Sequence, residues 1–266
     1  MYGRFSKKPC FNRRQWRDRT VCILSCLALF ATGLLGPMQV TAQEIRTTDL
    51  GKGIHMLEGR GGNIGLSVGE DGVLIVDAQY APLNPQILAA VAELSTQPLR
   101  FALNTHWHFD HVGGNEQLAE TGVANFAHEN VRALMRDDQT IAAFQMTVPA
   151  SPQAALPIVT FTDGVTFHLN GGTIRVFHVP AAHTNGDSIV HFVEADVIHM
   201  GDVYFNGRTP FIDRQHGGTL EGVVAAVDRV LAIAGPETKI IPGHGPLSNK
   251  LELEAYRESL ARALPQ

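Results

Sequence analysis

Short runs of β-branched and apolar residues at 54–57, 64–68 and 73–76 are separated by Gly61-Gly62 and by Glu70-Asp71-Gly72. Apolar runs of this length between turn formers predict strands. Residues 85–94 then read as a helix, with Asn84 as its cap and Pro85 at its first position. A strand is predicted at 100–104, helices at 115–120 and 130–135, and a strand between them at 123–127. Residues 146–157 hold three prolines and little pattern, which predicts a loop. Four strands are predicted next at 165–169, 173–179, 189–194 and 197–200, the first two joined by Asn170-Gly171-Gly172, which predicts a hairpin turn. A strong helix at 220–234 has its apolar residues on one face, 239–241 is a last strand and 251–263 a last helix. Strand-rich stretches in each half, interleaved with helices and without a short internal repeat, suit an α/β fold of two packed sheets with helices outside.

The first 42 residues differ from the rest. Residues 1–19 hold seven basic residues and one acidic one, and 21–36 is a nearly unbroken apolar run. That run is short for a membrane span. Val40-Thr41-Ala42 supplies small residues at signal-peptidase spacing, so 1–42 reads as a signal peptide and 43–266 as the mature domain. Arg13-Arg14 suits a twin-arginine leader, against a plain long basic one, and a retained membrane anchor is the competing reading. Cleavage would place a membrane-free chain in the periplasm or outside the cell.

Removing the leader changes the chemistry available. Cys10, Cys22 and Cys26 all lie within it, so the mature chain has no disulfide and no thiolate ligand. It keeps 14 basic and 25 acidic residues, a formal charge of −11. Such a surface repels phosphate backbones, which argues against nucleic acid as a partner and leaves a small-molecule substrate.

Candidate chemistry centres on His106-Trp107-His108-Phe109-Asp110-His111, directly after the strand at 100–104. Four potential ligands within six residues suit one or two zinc ions, which take imidazole nitrogen and carboxylate oxygen readily. Burying them unpaired would be costly. Three further turns each place one ligand just past a predicted strand: His183 in 182–187, Asp202 after 197–200 and His244 after 239–241.

The order His-x-His-x-Asp-His, then His183, Asp202 and His244, resembles the metallo-β-lactamase superfamily of hydrolases. The resemblance covers nearly all of the mature chain. It implies a four-layer αβ/βα sandwich, the metallo-β-lactamase fold, with the metals at one edge between the sheets. It implies two zinc ions, one bound by His106, His108 and His183 and the other by Asp110, His111 and His244. Asp202 would bridge them or complete the second site. Asp77, which closes the strand at 73–76, matches an aspartate that fixes the metal loop without being a ligand. The implied reaction is attack on a carbonyl by a water that both ions activate, with Asp110 as the catalytic group orienting it.

Substrate clues are sparser. The secreted β-lactamases of similar length have a cysteine where this chain has Asp202, and often a lysine where it has Phe205. Asp202 resembles glyoxalase II and lactonase members instead. The helical region that glyoxalase II carries after its last histidine has no counterpart in the 22 residues after His244. Arg208 is a candidate to grip a substrate carboxylate with two N–H groups, and Asn206 a weaker one. Tyr204 and Trp107 are expected to pack. His55, His128, His168, His178, His191 and His199 are expected to be ordinary strand or surface residues, as is His216, whose glycine-flanked loop also makes it a candidate for substrate contact. The leading reading is an exported dizinc hydrolase, β-lactamase-like, acting on a cyclic amide or ester. The alternatives are a lactonase, a glyoxalase II-like thioesterase, a mono-iron oxidoreductase of the same fold, or a protein that only sequesters zinc.

Overall fold

The computed structural model describes residues 44–264, so the leader predicted at 1–42 lies outside the described residues. Strands β1 (Arg46–Gly51), β2 (Ile54–Glu58), β3 (Ile64–Gly69) and β4 (Gly72–Val76) form an antiparallel meander. Helix α1 (Asn84–Leu94) returns the chain so that β5 (Leu99–Leu103) lies parallel to β4. Helices α2 (Phe109–Val112) and α3 (Asn115–Glu120) lead to β6 (Ala124–His128), which adds in parallel to β5. Helix α4 (Glu129–Arg136) precedes a separate hairpin of β7 (Gln139–Ile141) and β8 (Met146–Val148). Strand β9 (Val159–Phe161) completes a seven-stranded sheet beside β6.

The second sheet begins with β10 (Gly164–Leu169), β11 (Gly172–His178), β12 (Ser188–Phe192) and β13 (Val197–His199), all antiparallel neighbours. Helix α5 (Leu220–Leu231) returns the chain so that β14 (Lys239–Ile241) runs parallel to β13. Strand β15 (Ser248–Asn249) ends this six-stranded sheet, and α6 (Lys250–Ala263) follows.

Alternation along single strands shows why the layers stack. On β4, Leu74 and Val76 face the second sheet's Val190, Phe192 and Ile241, while Val73 and Ile75 face Ile87 and Val91 of α1 and Leu118 of α3. On β13, Val197 faces the first sheet, and Ile198 joins Val223, Val227 and Val230 of α5 and Leu253 and Leu260 of α6. Strands with both faces buried need cover on both sides. Helices, sheet, sheet and helices therefore form the four-layer αβ/βα sandwich implied by the resemblance. Thr219 caps α5, accepting from the Gly222 N–H at 2.9 Å, and Asn249 caps α6, accepting from Glu252 N–H at 3.0 Å.

Some predicted elements change. Residues 146–157 are not all loop: β8 and a 3-10 turn at Gln153–Ala155 lie inside them. A three-residue strand is too short to show alternation, and it is held by its partner β7. Strand β1 carries no sequence signal because Arg46–Asp49 are polar and Leu50 is its one buried residue, so it shows no apolar alternation. Asn84 does not cap α1. Leu83 holds that position, and the buried Asn84 amide donates to the Gly114 carbonyl at 3.3 Å. Among the described residues, no helix is long and apolar enough to cross a membrane.

Candidate metal centre

Parallel pairing brings the chemistry to one edge. Val76 of β4 pairs with Leu103 of β5, and His199 of β13 pairs with Ile241 of β14, so these four strands end in matched pairs. Asp77, the 104–111 segment, Asp202 and His244 follow those ends. The Ser188 N–H donates to the Thr105 carbonyl at 2.8 Å, tying the sheets together beside the motif. Asp202 sits in a 3-10 turn, Gly201–Val203, and the Gly243 N–H donates to the Gly201 carbonyl at 2.7 Å. A Cβ on Gly243 would overlap Asp202 Oδ1, so this close approach requires glycine.

The seven predicted ligands come together as two groups, His106 with His108, His183 and Asp202, and Asp110 with His111 and His244. In the first, His108 Nδ1 lies 3.1 Å from His106 Nε2 and 2.9 Å from His183 Nε2. Asp202 Oδ2 lies 3.8 Å from His106 Nε2 and 3.6 Å from His183 Nε2. A tetrahedron with metal bonds of ordinary zinc length has edges of about 3.3 Å, so the spacing fits a metal ion. In the second group, His244 Nε2 and His111 Nε2 lie 3.2 and 3.9 Å from Asp110 Oδ2. Asp202 Oδ1 lies 3.1 Å from His111 Nε2 and 3.5 Å from His244 Nε2. Asp202 thus turns one oxygen to each group.

Two buried atoms test the fit directly. His111 Nε2 and Asp202 Oδ1 have no hydrogen-bond partner despite their 3.1 Å separation. Unpartnered polar atoms in a dry interior are costly, and a cation between these two would satisfy both.

The far sides of His111, His183 and His108 are held. Asp77, buried at φ +67°, accepts from the Thr105 N–H at 2.8 Å and the Thr105 hydroxyl at 2.7 Å, and its Oδ2 lies 2.7 Å from His111 Nδ1. His183 Nδ1 lies 2.8 Å from the Phe211 carbonyl. His108 Nε2 lies 2.9 Å from Asp213 Oδ2, which is 2.7 Å from His216 Nδ1. His216 Nε2 in turn lies 3.2 Å from Gln139 Oε1.

Residues 57–245 match the family model described as the Metallo-beta-lactamase superfamily. The chain belongs to that superfamily. It is 29% identical over 177 residues to "Acyl-coenzyme A thioesterase MBLAC2" of Bos taurus, covering 59% of each chain. It thus spans about three fifths of that relative's length. It is 22% identical over 189 residues to "Metallo-beta-lactamase type 2" of Bacteroides fragilis, covering 67% of this chain and 70% of that one. Its fold matches the crystal structure of the DIM-1 metallo-beta-lactamase at TM-score 0.67 and 16% identity, over 83% of this chain and 99% of that one.

Asp213 carried no signal in the superfamily motif, since a lone aspartate in a loop is usually solvated. His216 is buried against Trp107, with ring centroids 4.7 Å apart, and points at Asp213. Both act on the site through His108. Asp213→Ala is expected to weaken metal affinity by about 10–100-fold, read by competition with a chromogenic chelator.

The other predicted residues take varied places. Trp107 is buried in the cluster beneath the motif. Tyr204 is buried, its hydroxyl 2.8 Å from Ser248 Oγ. Phe205 stacks on His244, with ring centroids 5.3 Å apart. Arg208 is exposed and lines a recess shared with His244. Asn206 is turned away from the ligands and donates to the Pro246 carbonyl at 3.1 Å and to Glu252 at 3.2 Å. That amide braces the His244 loop, because its donors are already satisfied there.

Electrostatics separate the two groups. Burial pushes His183 down to about 4 and His106 well below the ordinary imidazole range. For His244, burial acts downward, but the neighbouring carboxylates of Asp110 and Asp202 outweigh it and hold it up at about 9. For His111, burial is likewise outweighed, by the charges of Asp202, Asp77 and Asp110. At neutral pH His106 and His183 are therefore neutral, whereas His244 carries a proton that a metal must displace. Metal uptake by the second group should release protons and tighten as pH rises toward 9, while His106 and His183 of the first group have no proton to release across pH 6–9. Calorimetry of cobalt binding in buffers of different ionisation enthalpy checks both expectations.

Proposed function

We propose that this chain is an exported dizinc hydrolase, β-lactamase-like, acting on the carbonyl of a cyclic amide or ester. The observation that carries the two-metal reading is Asp202, whose two oxygens face different ligand groups. His106, His108 and His183 would hold one ion, Asp110, His111 and His244 the other, and Asp202 would bridge them. Zinc bound there supplies Lewis-acid activation of water and of the scissile carbonyl.

The chain's own groups do the rest. Asp110 borders the open cavity, its Oδ2 3.2 Å from His244 Nε2. Burial would raise its carboxyl, but His111 and His244 outweigh that and keep it ionised. An ionised Oδ2 at the cavity edge accepts a hydrogen bond from the attacking water and aims it. Phe205 and Phe211 flank the ligands and limit bulk water around them. Arg208, beside His244, is placed to hold a substrate carboxylate.

A thioesterase is the second reading, favoured by the printed activity of the Bos taurus relative and by the aspartate at position 202. The test uses mature protein loaded with zinc, metal analysis, and a panel of lactams, lactones and thioesters. Two zinc ions per chain and hydrolysis lost both to a chelator and in His108→Ala support the proposal. One iron per chain with no hydrolysis overturns it in favour of an oxidoreductase. Amino-terminal sequencing of the exported protein tests cleavage after Ala42.

A further inference from the structure

The metal ligands open onto a cavity of about 330 Å³ with apolar walls. Tyr80, Phe109, Ile141, Phe144, Met146 and Phe211 line it, beside Asp110, Asp202 and His244. Three of these walls, Ile141, Phe144 and Met146, belong to the β7–β8 hairpin and its tip. Phe144 is 58% exposed, yet its ring lies 4.8 Å from that of Phe211, which stands 5.9 Å from His108 and 5.8 Å from His183. The hairpin is tied to the metal side of the molecule, for Gln139 reaches His216 and the Ala142 N–H donates to Gln215 at 3.4 Å. An apolar tip held over a metal site is a surface that water covers poorly and an apolar ligand covers well.

The other side of His244 has the opposite character. A second recess of about 330 Å³ is lined by Arg46, Arg60 and Arg208 together with Glu58 and His244. Arg46 is paired with Glu58. Arg60 and Arg208 are exposed and form no salt bridge among the described residues. In a mature chain of formal charge −11, two unpaired guanidinium groups beside the ligands mark a local site for an anion.

Resting on the metallo-hydrolase reading above, but with an open-chain substrate in place of a cyclic one, we propose that the substrate is a two-ended ester or thioester. A bulky apolar acyl group lies against Phe144 and Phe211, and an anionic leaving group is held by Arg60 and Arg208. His244 lines both recesses, which places the scissile carbonyl between them. Hydrolysis adds one water across the acyl–oxygen or acyl–sulfur bond. It releases an apolar carboxylic acid on the hairpin side and an anionic alcohol or thiol on the arginine side.

The test measures binding, using probes that have no scissile carbonyl and the full mature protein loaded with zinc. 2-(Hexylthio)ethanesulfonate carries both features, 2-(methylthio)ethanesulfonate lacks the apolar end, and 2-(hexylthio)ethanol lacks the charge. Calorimetry should show the hexyl sulfonate binding about tenfold or more tightly than the methyl sulfonate, because several methylenes leave water. It should bind roughly 3–10-fold more tightly than the uncharged alcohol, an advantage that shrinks with added salt. Phe144→Ala, at an exposed position, should reduce the hexyl-to-methyl ratio and leave the charge ratio intact. Arg60→Gln combined with Arg208→Gln should do the reverse. Ratios unchanged by these substitutions, or equal binding of the three probes, overturn the proposal. Metal-dependent hydrolysis of the substrate panel with flat ratios would sink this inference alone. A panel without hydrolysis but with the expected ratios would sink the hydrolase reading and leave the two-sided binding site.

Discussion

Asp202→Ala should cost more than any other single ligand substitution. Asp202 Oδ2 faces His106 and His183, and Oδ1 faces His111 and His244, so one truncation opens both ligand groups. It also leaves the imidazoles without their shared counter-charge. Losing a residue that merely supports a ligand costs about 10–100-fold in metal affinity, and losing a ligand of both groups should exceed about 100-fold. Metal analysis after dialysis should find less than one ion per chain, and hydrolysis should fall below about 1% of the parent. His244→Ala, which touches only the second group, should retain the first ion. If Asp202→Ala keeps two ions at parental affinity, the bridging geometry is wrong.

The second large effect is on folding. Asp77→Ala removes the acceptor for the Thr105 N–H, the Thr105 hydroxyl and His111 Nδ1, all buried. Breaking one side of a buried charged network leaves its partners desolvated and unpaired, which costs about 3–5 kcal/mol. Urea unfolding of the metal-free protein should show that loss as a lower midpoint with an unchanged slope. Asp77→Asn retains an acceptor for Thr105 and tolerates the left-handed backbone at φ +67°, so it should lose less. Equal stability of Asp77→Ala and the parent would mean that the Thr105–His111 network does not hold the loop.

The two effects share a cause. Asp77 orients His111 from behind, and Asp202 meets the same ring from the front, 3.1 Å away. Fold stability and metal affinity are coupled through one imidazole, because a ligand must be aimed before a metal can use it.

Much of this was legible in the chain. Local periodicity marked most strands and the helices α5 and α6, since their apolar faces repeat within a few residues. The density of His106, His108, Asp110 and His111 announced metal chemistry, because no packing role needs four such groups together. Single ligands after strand ends named His183, Asp202 and His244. Those signals are local or depend on order, so the sequence by itself determined the two-sheet fold and the candidate ligands that the fold then gathers.

Other features depend on partners distant in sequence. Asp213 became a support for His108 only when a loop 105 residues away folded against it. The β7–β8 hairpin showed no period, since its strands are three residues long and each is held by the other. That Asp202 would offer its two oxygens in different directions was decided by the Gly201–Val203 turn and its contact with Gly243. The tertiary structure alone decided these, because a hydrogen bond or a ligand direction depends on where two backbones meet, and spacing along one chain carries no record of that meeting.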